Sequence, residues 1–126
     1  DRDIFGYYFD KGYLSVQVFF IRGSKIVERK SKIFDIVDEL DEELTRYIAS
    51  FYHRNILPKE ILVPNIVDTE VLENFFNIKV ISPIKGVKNK IVEMANKNAE
   101  ITLKNEIELI ISQTNTIMQF LIKTLN

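Results

Sequence analysis

The first third of the chain consists of three strand-like runs, rich in β-branched and aromatic residues, that are joined by very short polar links. The runs cover residues 4–9, 13–22 and 25–34. Each link, at residues 10–12 and 22–24, contains a glycine, which takes the positive φ angles of tight turns most readily. Because links this short join antiparallel neighbours, the sequence predicts a three-stranded antiparallel meander.

Beyond the meander the apolar spacing becomes helical. A helix is predicted behind the acids at residues 38–43, since negative charge favours the N-terminal end of a helix. A short apolar strand follows at residues 60–63. Asp68 can cap a second helix that reaches about Phe76, and residues 78–81 form another brief strand.

After Gly86 the apolar positions follow one long helix, which we expect to be bent or broken near residues 114–116. The predicted order is therefore βββαβαβα. It indicates an α/β domain with a mixed five-stranded sheet flanked by helices, the order found in the ribonuclease H-like fold. We assign residues 1–113 to this domain and residues 114–126 to a C-terminal helix or linker.

Composition narrows the function classes. The chain has 126 residues, 17 Lys and Arg against 18 Asp and Glu, and no Cys. Its length suits one soluble globular domain, and the lack of Cys excludes thiolate metal sites and cysteine nucleophiles within this sequence. The apolar runs are far shorter than the roughly 20 residues of a membrane span. Because the sequence begins at Asp1 without Met or a signal sequence, we expect a segment of a longer polypeptide.

Four stretches of the sequence carry a family resemblance. They are Asp-Ile-Phe-Gly at 3–6, Val-Gln-Val-Phe-Phe-Ile-Arg-Gly at 16–23, Phe-Tyr at 51–52 followed by 56–62, and Pro-Ile-Lys-Gly at 83–86 leading to Met-Ala-Asn-Lys-Asn-Ala at 94–99. In this order and spacing they resemble the UvrC family, the incision subunit of bacterial nucleotide excision repair. The resemblance covers nearly the whole chain and corresponds to the central region of such proteins.

The resemblance implies what accompanies this segment. A GIY-YIG nuclease domain and a UvrB-binding segment would precede it, and a catalytic ribonuclease H-like domain and a helix-hairpin-helix module would follow. The parent protein would cut damaged DNA on both sides of a lesion with a divalent metal, Mg²⁺ or Mn²⁺, bound outside this segment. The implied partners are DNA, UvrB and the adjoining UvrC domains, in the cytoplasm and without a membrane. No cofactor is expected in the segment itself.

The sequence does not place acids where a nuclease of this fold needs them. Such nucleases hold two divalent metals with carboxylates in the first strand, near the end of the first helix and at the end of the fourth strand. Here residues 5–7 and 63–65 carry no acid, and the first helix ends beside Arg54, which a metal would repel. We therefore predict a degenerate domain that makes no cut by itself. The alternative is a nuclease that uses Asp3 or Asp10 with an acid from a distant strand.

Four basic residues are the candidate DNA contacts. Lys85, Lys88 and Lys90 surround the predicted start of the long helix, where backbone N–H groups and the helix dipole favour phosphate. Arg22, in the second hairpin, is the fourth candidate. An ordinary solvated helix face explains the lysines as well, and edge-strand charge that prevents aggregation explains the cations near Arg22.

Two hypotheses from different classes follow. The leading one is a non-catalytic module that binds the DNA backbone and positions the nuclease domain. The rival is a protein-interaction domain that docks on UvrB or other UvrC domains through the apolar tail at residues 117–125.

Among the aromatic residues, we expect Tyr7, Tyr8 and Tyr13 to lie outside the core. His53 is expected at a helix end, where the dipole favours it.

Overall fold

Five strands and three helices make up the chain, in the computed structural model that describes residues 1–125. The strands form one mixed sheet in the order β3-β2-β1-β4-β5. The first three strands are antiparallel, and the last two run parallel to the first. The predicted α/β class, the element order and the five-stranded sheet are confirmed. The elements are β1 (Arg2–Asp10), β2 (Tyr13–Arg22), β3 (Lys25–Asp35), α1 (Leu40–Phe51), β4 (Glu60–Leu62), α2 (Thr69–Phe76), β5 (Lys79–Ile81) and α3 (Gly86–Leu125).

The two hairpins of the meander turn through two residues each, and all four of these residues have positive φ angles. In the first turn φ is 53° at Lys11 and 82° at Gly12, and in the second it is 58° at Gly23 and 64° at Ser24. Positive φ at both central residues is typical of type I′ turns, whose twist matches that of the flanking strands. The glycines that predicted these turns therefore lie at positions that need them.

Helices cover both faces of the sheet. Alternation along β1 directs Phe5 towards α1, where its ring packs 5.3 Å from that of Phe51, and Ile4 towards Val92 of α3. The α1 and α2 face holds the larger apolar cluster. The acids that predicted α1 occupy its first turn, next to the positive end of the helix dipole.

The predicted cap of α2 is present. The side chain of Asp68 accepts a hydrogen bond from the backbone N–H of Val71 at 3.1 Å. The helix ends at Phe76, as expected, and the next residue, Asn77, takes a left-handed conformation with φ of 58°. Asn is among the few residues that adopt this conformation at a helix end, so both boundaries follow from local chemistry.

α3 packs directly on the backbone of β1. A Cβ atom at Gly6 would lie 2.3 Å from the carbonyl carbon of Ala95 and from the backbone nitrogen of Asn96, so only glycine allows this approach. Beside it, the backbone N–H of Tyr7 donates to Oδ1 of Asn96 at 2.8 Å. The small buried residues Ala95 and Ala99 let the helix lie close to the sheet.

α3 continues without a break from Gly86 to Leu125, so a break near residues 114–116 is wrong, and the other expectation, a bend there, stays a prediction. Within this helix the hydroxyl of Thr116 donates a hydrogen bond to the backbone carbonyl of Ser112, four residues earlier, at 3.0 Å. All side chains from residue 108 to 125 are exposed. The domain boundary at residue 113 stays a prediction. No helix in the described part of the chain is long and apolar enough to cross a membrane.

Candidate nucleic-acid interface

A cleft of about 330 Å³ lies beyond the end of β4, where nucleases of this fold carry their third metal-binding acid. Its polar lining includes Tyr7, Asn65, Asn89, Glu93 and Asn96. Glu93 is the one carboxylate among these lining residues, and it accepts a hydrogen bond from Nδ2 of Asn89 at 3.1 Å. Within residues 1–125, no three His, Cys, Asp or Glu side chains are grouped so that they could hold a metal ion. Amides that suit hydrogen bonding line the cleft.

Asp3, one acid of the alternative nuclease hypothesis, is buried in a structural network. Its Oδ1 accepts from Nη1 of Arg22 at 2.9 Å, and its Oδ2 accepts from the hydroxyl of Tyr52 at 2.6 Å. Burial raises the pKa of Asp3, although the hydrogen bonds from Tyr52 and Arg22 offset part of this effect. Burial and the charge of Asp3 also raise the pKa of Tyr52. Asp10 lies at the other end of β1, roughly 23 Å away at about 3.3 Å per residue.

The guanidinium group of Arg22, a predicted DNA contact, forms hydrogen bonds within the domain. Besides Asp3, its Nη1 donates to the carbonyl oxygens of Arg2 at 3.2 Å and of its neighbour Ile21 at 2.8 Å. The guanidinium carbon lies 5.9 Å from the centre of the Phe20 ring. Its side chain is 32% exposed, so only its remaining N–H groups are free for a ligand.

Lys88, a second predicted contact, also has an internal partner. Its Nζ lies 2.9 Å from Oε1 of Glu60, and Nε of Arg2 lies 3.1 Å from the other carboxylate oxygen. Burial alone would raise the pKa of Glu60. The hydrogen bond from Lys88 and the charges of Lys88 and Arg2 outweigh burial and hold that pKa below its usual value. Lys88 therefore ties the first turn of α3 to the start of β4.

Lys85 and Lys90 are the two predicted contacts that remain free. Both are exposed, and neither takes part in the ion pairs found among residues 1–125. Lys85 directly precedes α3, and Lys90 lies in its second turn. They flank the helix start, whose first backbone N–H groups have no partner within the helix. Lys85, Lys88 and Lys90 thus all lie at the start of α3, but the Lys88 side chain faces Glu60, and Arg22 packs against β1.

A second group of cations lies across the sheet, where sequence reasoning did not place a site. A pocket of about 450 Å³ at the C-terminal end of α1 is lined by one residue of β3, by the last turns of α1 and by the residues that follow the helix. We call it the α1-end pocket, and its lining residues are Lys32, Tyr47, Ser50, Phe51, His53, Arg54 and Asn55. Alternation along β3 could have placed Lys32 on this face, but no local pattern brings it to Arg54.

The tyrosines expected outside the core are half-buried. Tyr7, Tyr8 and Tyr13 are all partly exposed, and Tyr7 also packs against the core on the α1 face. Tyr8 lies under the ammonium group of Lys104, at 5.6 Å from the ring centre. His53 is exposed just after α1, as predicted, and its backbone N–H donates to the carbonyl of Ser50 at 3.1 Å.

A mixed sheet in the order β3-β2-β1-β4-β5, crossed by α3 on one face and covered by α1 and α2 on the other, defines a ribonuclease H-like domain. The family model "UvrC Ribonuclease H-like domain" matches residues 1–106, and the chain belongs to this family.

Two curated relatives support the assignment. The chain is 44% identical over 111 residues to UvrABC system protein C of Lactiplantibacillus plantarum. The matched region covers 86% of this chain and 18% of that protein. It is 43% identical over 111 residues to UvrABC system protein C of Levilactobacillus brevis, with the same 86% and 18% coverage. The chain therefore spans about a fifth of the length of these relatives.

Proposed function

We propose that this chain is the non-catalytic ribonuclease H-like domain of a UvrC protein, and that it binds the DNA backbone and positions the nuclease domain. The parent protein would act in nucleotide excision repair in the cytoplasm, together with UvrB, and cut the damaged strand on both sides of a lesion. Its divalent metal, Mg²⁺ or Mn²⁺, would be bound by other domains. Membership of the family and the similarity to UvrABC system protein C support this proposal.

The observation that carries DNA binding is the free charge of Lys85 and Lys90 at the start of α3. A lysine held by a carboxylate must lose that partner to bind phosphate, whereas these two lysines lose nothing. Lys88 contributes differently, because its ion pair with Glu60 fixes the helix start against the sheet. Each lysine that neutralises one phosphate adds about one unit to the salt dependence of binding.

The test is fluorescence anisotropy of the chain with a labelled, bubble-containing DNA duplex at low and moderate salt. We expect binding that weakens as salt rises. The Lys85→Glu/Lys90→Glu variant should bind at least about tenfold more weakly and lower the salt slope by roughly two units. The matched control, Lys11→Glu/Lys123→Glu, makes the same change in net charge at exposed positions elsewhere and should have a much smaller effect.

Cleavage is measured on the same samples with Mn²⁺ added, by denaturing gel. Binding without cleavage is the expected result. Nicking that is lost in Asp10→Asn would contradict the non-catalytic assignment and support the nuclease alternative. No binding at low salt, or equal losses in the two double variants, would contradict the role of Lys85 and Lys90.

The second candidate function is docking on UvrB or other UvrC domains, and the exposed part of α3 favours it. Three large apolar side chains of this part, Ile117, Phe120 and Leu121, are 45% to 66% exposed. Contiguous exposed apolar surface commonly marks a protein contact. Such docking should persist at a salt concentration that abolishes DNA binding, and Leu121→Glu should weaken it, because a charge would be buried at the contact.

A further inference from the structure

The α1-end pocket forms because β3 and α1 bring cations from distant parts of the sequence to one place. Lys30 and Lys32 pair with Val18 and Val16 of β2, and both valines belong to the core on the α1 face. Paired residues on neighbouring strands point to the same side, so both lysines lie on that face. The turn after α1 adds His53 and Arg54 to the same pocket.

The C-terminal end of α1 is capped without the charged side chains of the pocket. Its last carbonyl groups accept from the backbone N–H groups of His53 and Arg54 and from Nδ2 of Asn55, which lies 2.9 Å from the carbonyl of Phe51. Lys30 in turn holds Asn55 by a 2.9 Å hydrogen bond to its Oδ1. The helix end is therefore capped, and none of these hydrogen bonds involves the side chains of Lys32, His53 or Arg54.

No carboxylate neutralises the pocket. Its lining residues include no Asp or Glu, and none of its cations belongs to an ion pair in the part of the chain that the structure describes. The acids of α1 lie in its first turn, at the other end of a 12-residue helix, roughly 18 Å away at about 1.5 Å per residue. That is about twice the Debye length at physiological salt, so the acids of α1 are largely screened from the pocket.

Two aromatic side chains, Tyr47 and Phe51, belong to the lining of the pocket. The ring of Tyr47 stacks on that of Phe34 at 5.4 Å and lies 6.1 Å from that of Phe51. The volume of about 450 Å³ falls within the range of small-molecule sites, roughly 300–1,000 Å³, so a phosphate fits together with an attached sugar.

We propose that the α1-end pocket binds a phosphate group of a single nucleic-acid strand, with Lys32 and Arg54 as its main contacts. The site lies on the opposite face of the sheet from α3 and shares no residue with the lysines at the start of α3. The inference rests on the proposed function in one respect, since both take nucleic acid as the ligand. The shared chemistry is a phosphoryl oxyanion, which a nucleic-acid backbone or free phosphate supplies.

The experiment is a titration of the ¹⁵N-labelled chain, followed by amide chemical shifts, with a five-residue oligothymidylate and separately with inorganic phosphate. We expect the oligothymidylate to shift the amides of Lys32, His53 and Arg54 at concentrations where inorganic phosphate shifts none. The Lys32→Gln/Arg54→Gln variant should raise the Kd of these shifts by about tenfold. The control variant, Lys11→Gln/Lys123→Gln, should change it less than about twofold, and the spectra themselves report whether each variant is folded.

Equal responses to the two ligands would assign the pocket to free phosphate and overturn nucleic acid as its ligand. No response in the pocket would overturn the site. Shifts confined to the start of α3 would break this inference and leave the proposed function intact. Shifts confined to the α1-end pocket would support the inference and break the assignment of Lys85 and Lys90, and the absence of both sets would break both.

Discussion

Two pairs of cations that look alike in the sequence have different roles in the structure. Arg22 and Lys88 hold buried or nearly buried carboxylates, whereas Lys85 and Lys90 are exposed and have no ion-pair partner among residues 1–125. The difference lies in what the fold places beside each cation. A cluster of basic residues in a sequence is therefore a set of candidates, and the structure separates the stabilising members from those that can bind a ligand.

The difference between paired and unpaired cations arises where β1 and β4 run side by side. Arg2 pairs in register with Glu60, and the next residue of β1, Asp3, points to the opposite face. Each face thus receives one acid near the starts of the two strands, and each acid recruits a cation: Arg22 from β2 for Asp3, and Lys88 from α3 for Glu60. A buried carboxylate without such a partner would destabilise the fold.

The largest expected effect is the loss of stability in Arg22→Met. It leaves Asp3 fully buried with Tyr52 as its remaining side-chain partner, so the free energy of unfolding should fall by about 3 kcal/mol. Urea denaturation measures this as a lower midpoint with an unchanged slope. Lys85→Met removes the same charge from an exposed site and serves as the control. Equal small losses in both variants would break the comparison.

Next comes the contrast between binding and stability in Lys85→Glu/Lys90→Glu. We expect the loss of DNA affinity described above with a change in unfolding free energy below about 0.5 kcal/mol, because exposed positions without partners contribute little to stability. Thermal unfolding followed by circular dichroism checks the second part. A large drop in Tm would show that these lysines are structural and would remove the distinction.

The pH dependence of stability distinguishes the two buried acids. The pKa of Glu60 is lowered in the folded state, so its contribution is present above the unfolded value near 4.5 and is lost as pH falls through the folded pKa. The pKa of Asp3 is raised, so the folded chain binds that proton more tightly and this group adds stability as pH falls.

Glu60→Gln should therefore cost about 1–2 kcal/mol at pH 7, and the cost should shrink as pH falls below about 4.5. Urea denaturation of both forms at several pH values measures this difference. Asp68→Asn, which changes an exposed acid and keeps a side chain that can cap α2, is the control. A cost that grows towards low pH would contradict the direction assigned to Glu60.

The smallest expected effect is that of Lys88→Met. Glu60 keeps its contact with Arg2 at 3.1 Å, and the Lys88 side chain is 38% exposed, so the cost should be about 0.5–1 kcal/mol. DNA affinity should fall less than in Lys85→Glu/Lys90→Glu. An equal or greater loss of affinity with unchanged stability would move Lys88 into the group of ligand-binding cations.

Features that depend on neighbours in the sequence were predicted well. Gly12 and Gly23 marked the two hairpins, Asp68 marked the start of α2, and the change of apolar period marked α1. A break in α3, one of the two alternatives expected near residues 114–116, is the counterexample. The polar residues around Thr116 resemble a helix end, but its hydroxyl bonds the carbonyl of Ser112 within a continuous helix. Helical hydrogen bonding overrides weak local preference there.

The candidate sites were only partly predictable. The sequence placed Lys85, Lys88 and Lys90 at one helix start, because they lie within six positions of each other. It could not separate Lys88 from the other two, since Glu60 lies 28 positions away. The α1-end pocket was missed for the same reason, as Lys32 and Arg54 come from β3 and from the turn after α1.

The sequence by itself determined the strands, the helices, their order and the family to which the chain belongs, because turns, caps and apolar periods act over a few residues. Tertiary structure decided which charges are paired and which are free. Whether a charge is paired depends on strand register, on burial and on contacts between helix and sheet. The contact between Gly6 and Ala95, which brings α3 onto β1, is an example. An ion pair forms where the packed backbone brings two distant side chains together, and distance along the chain does not encode that position.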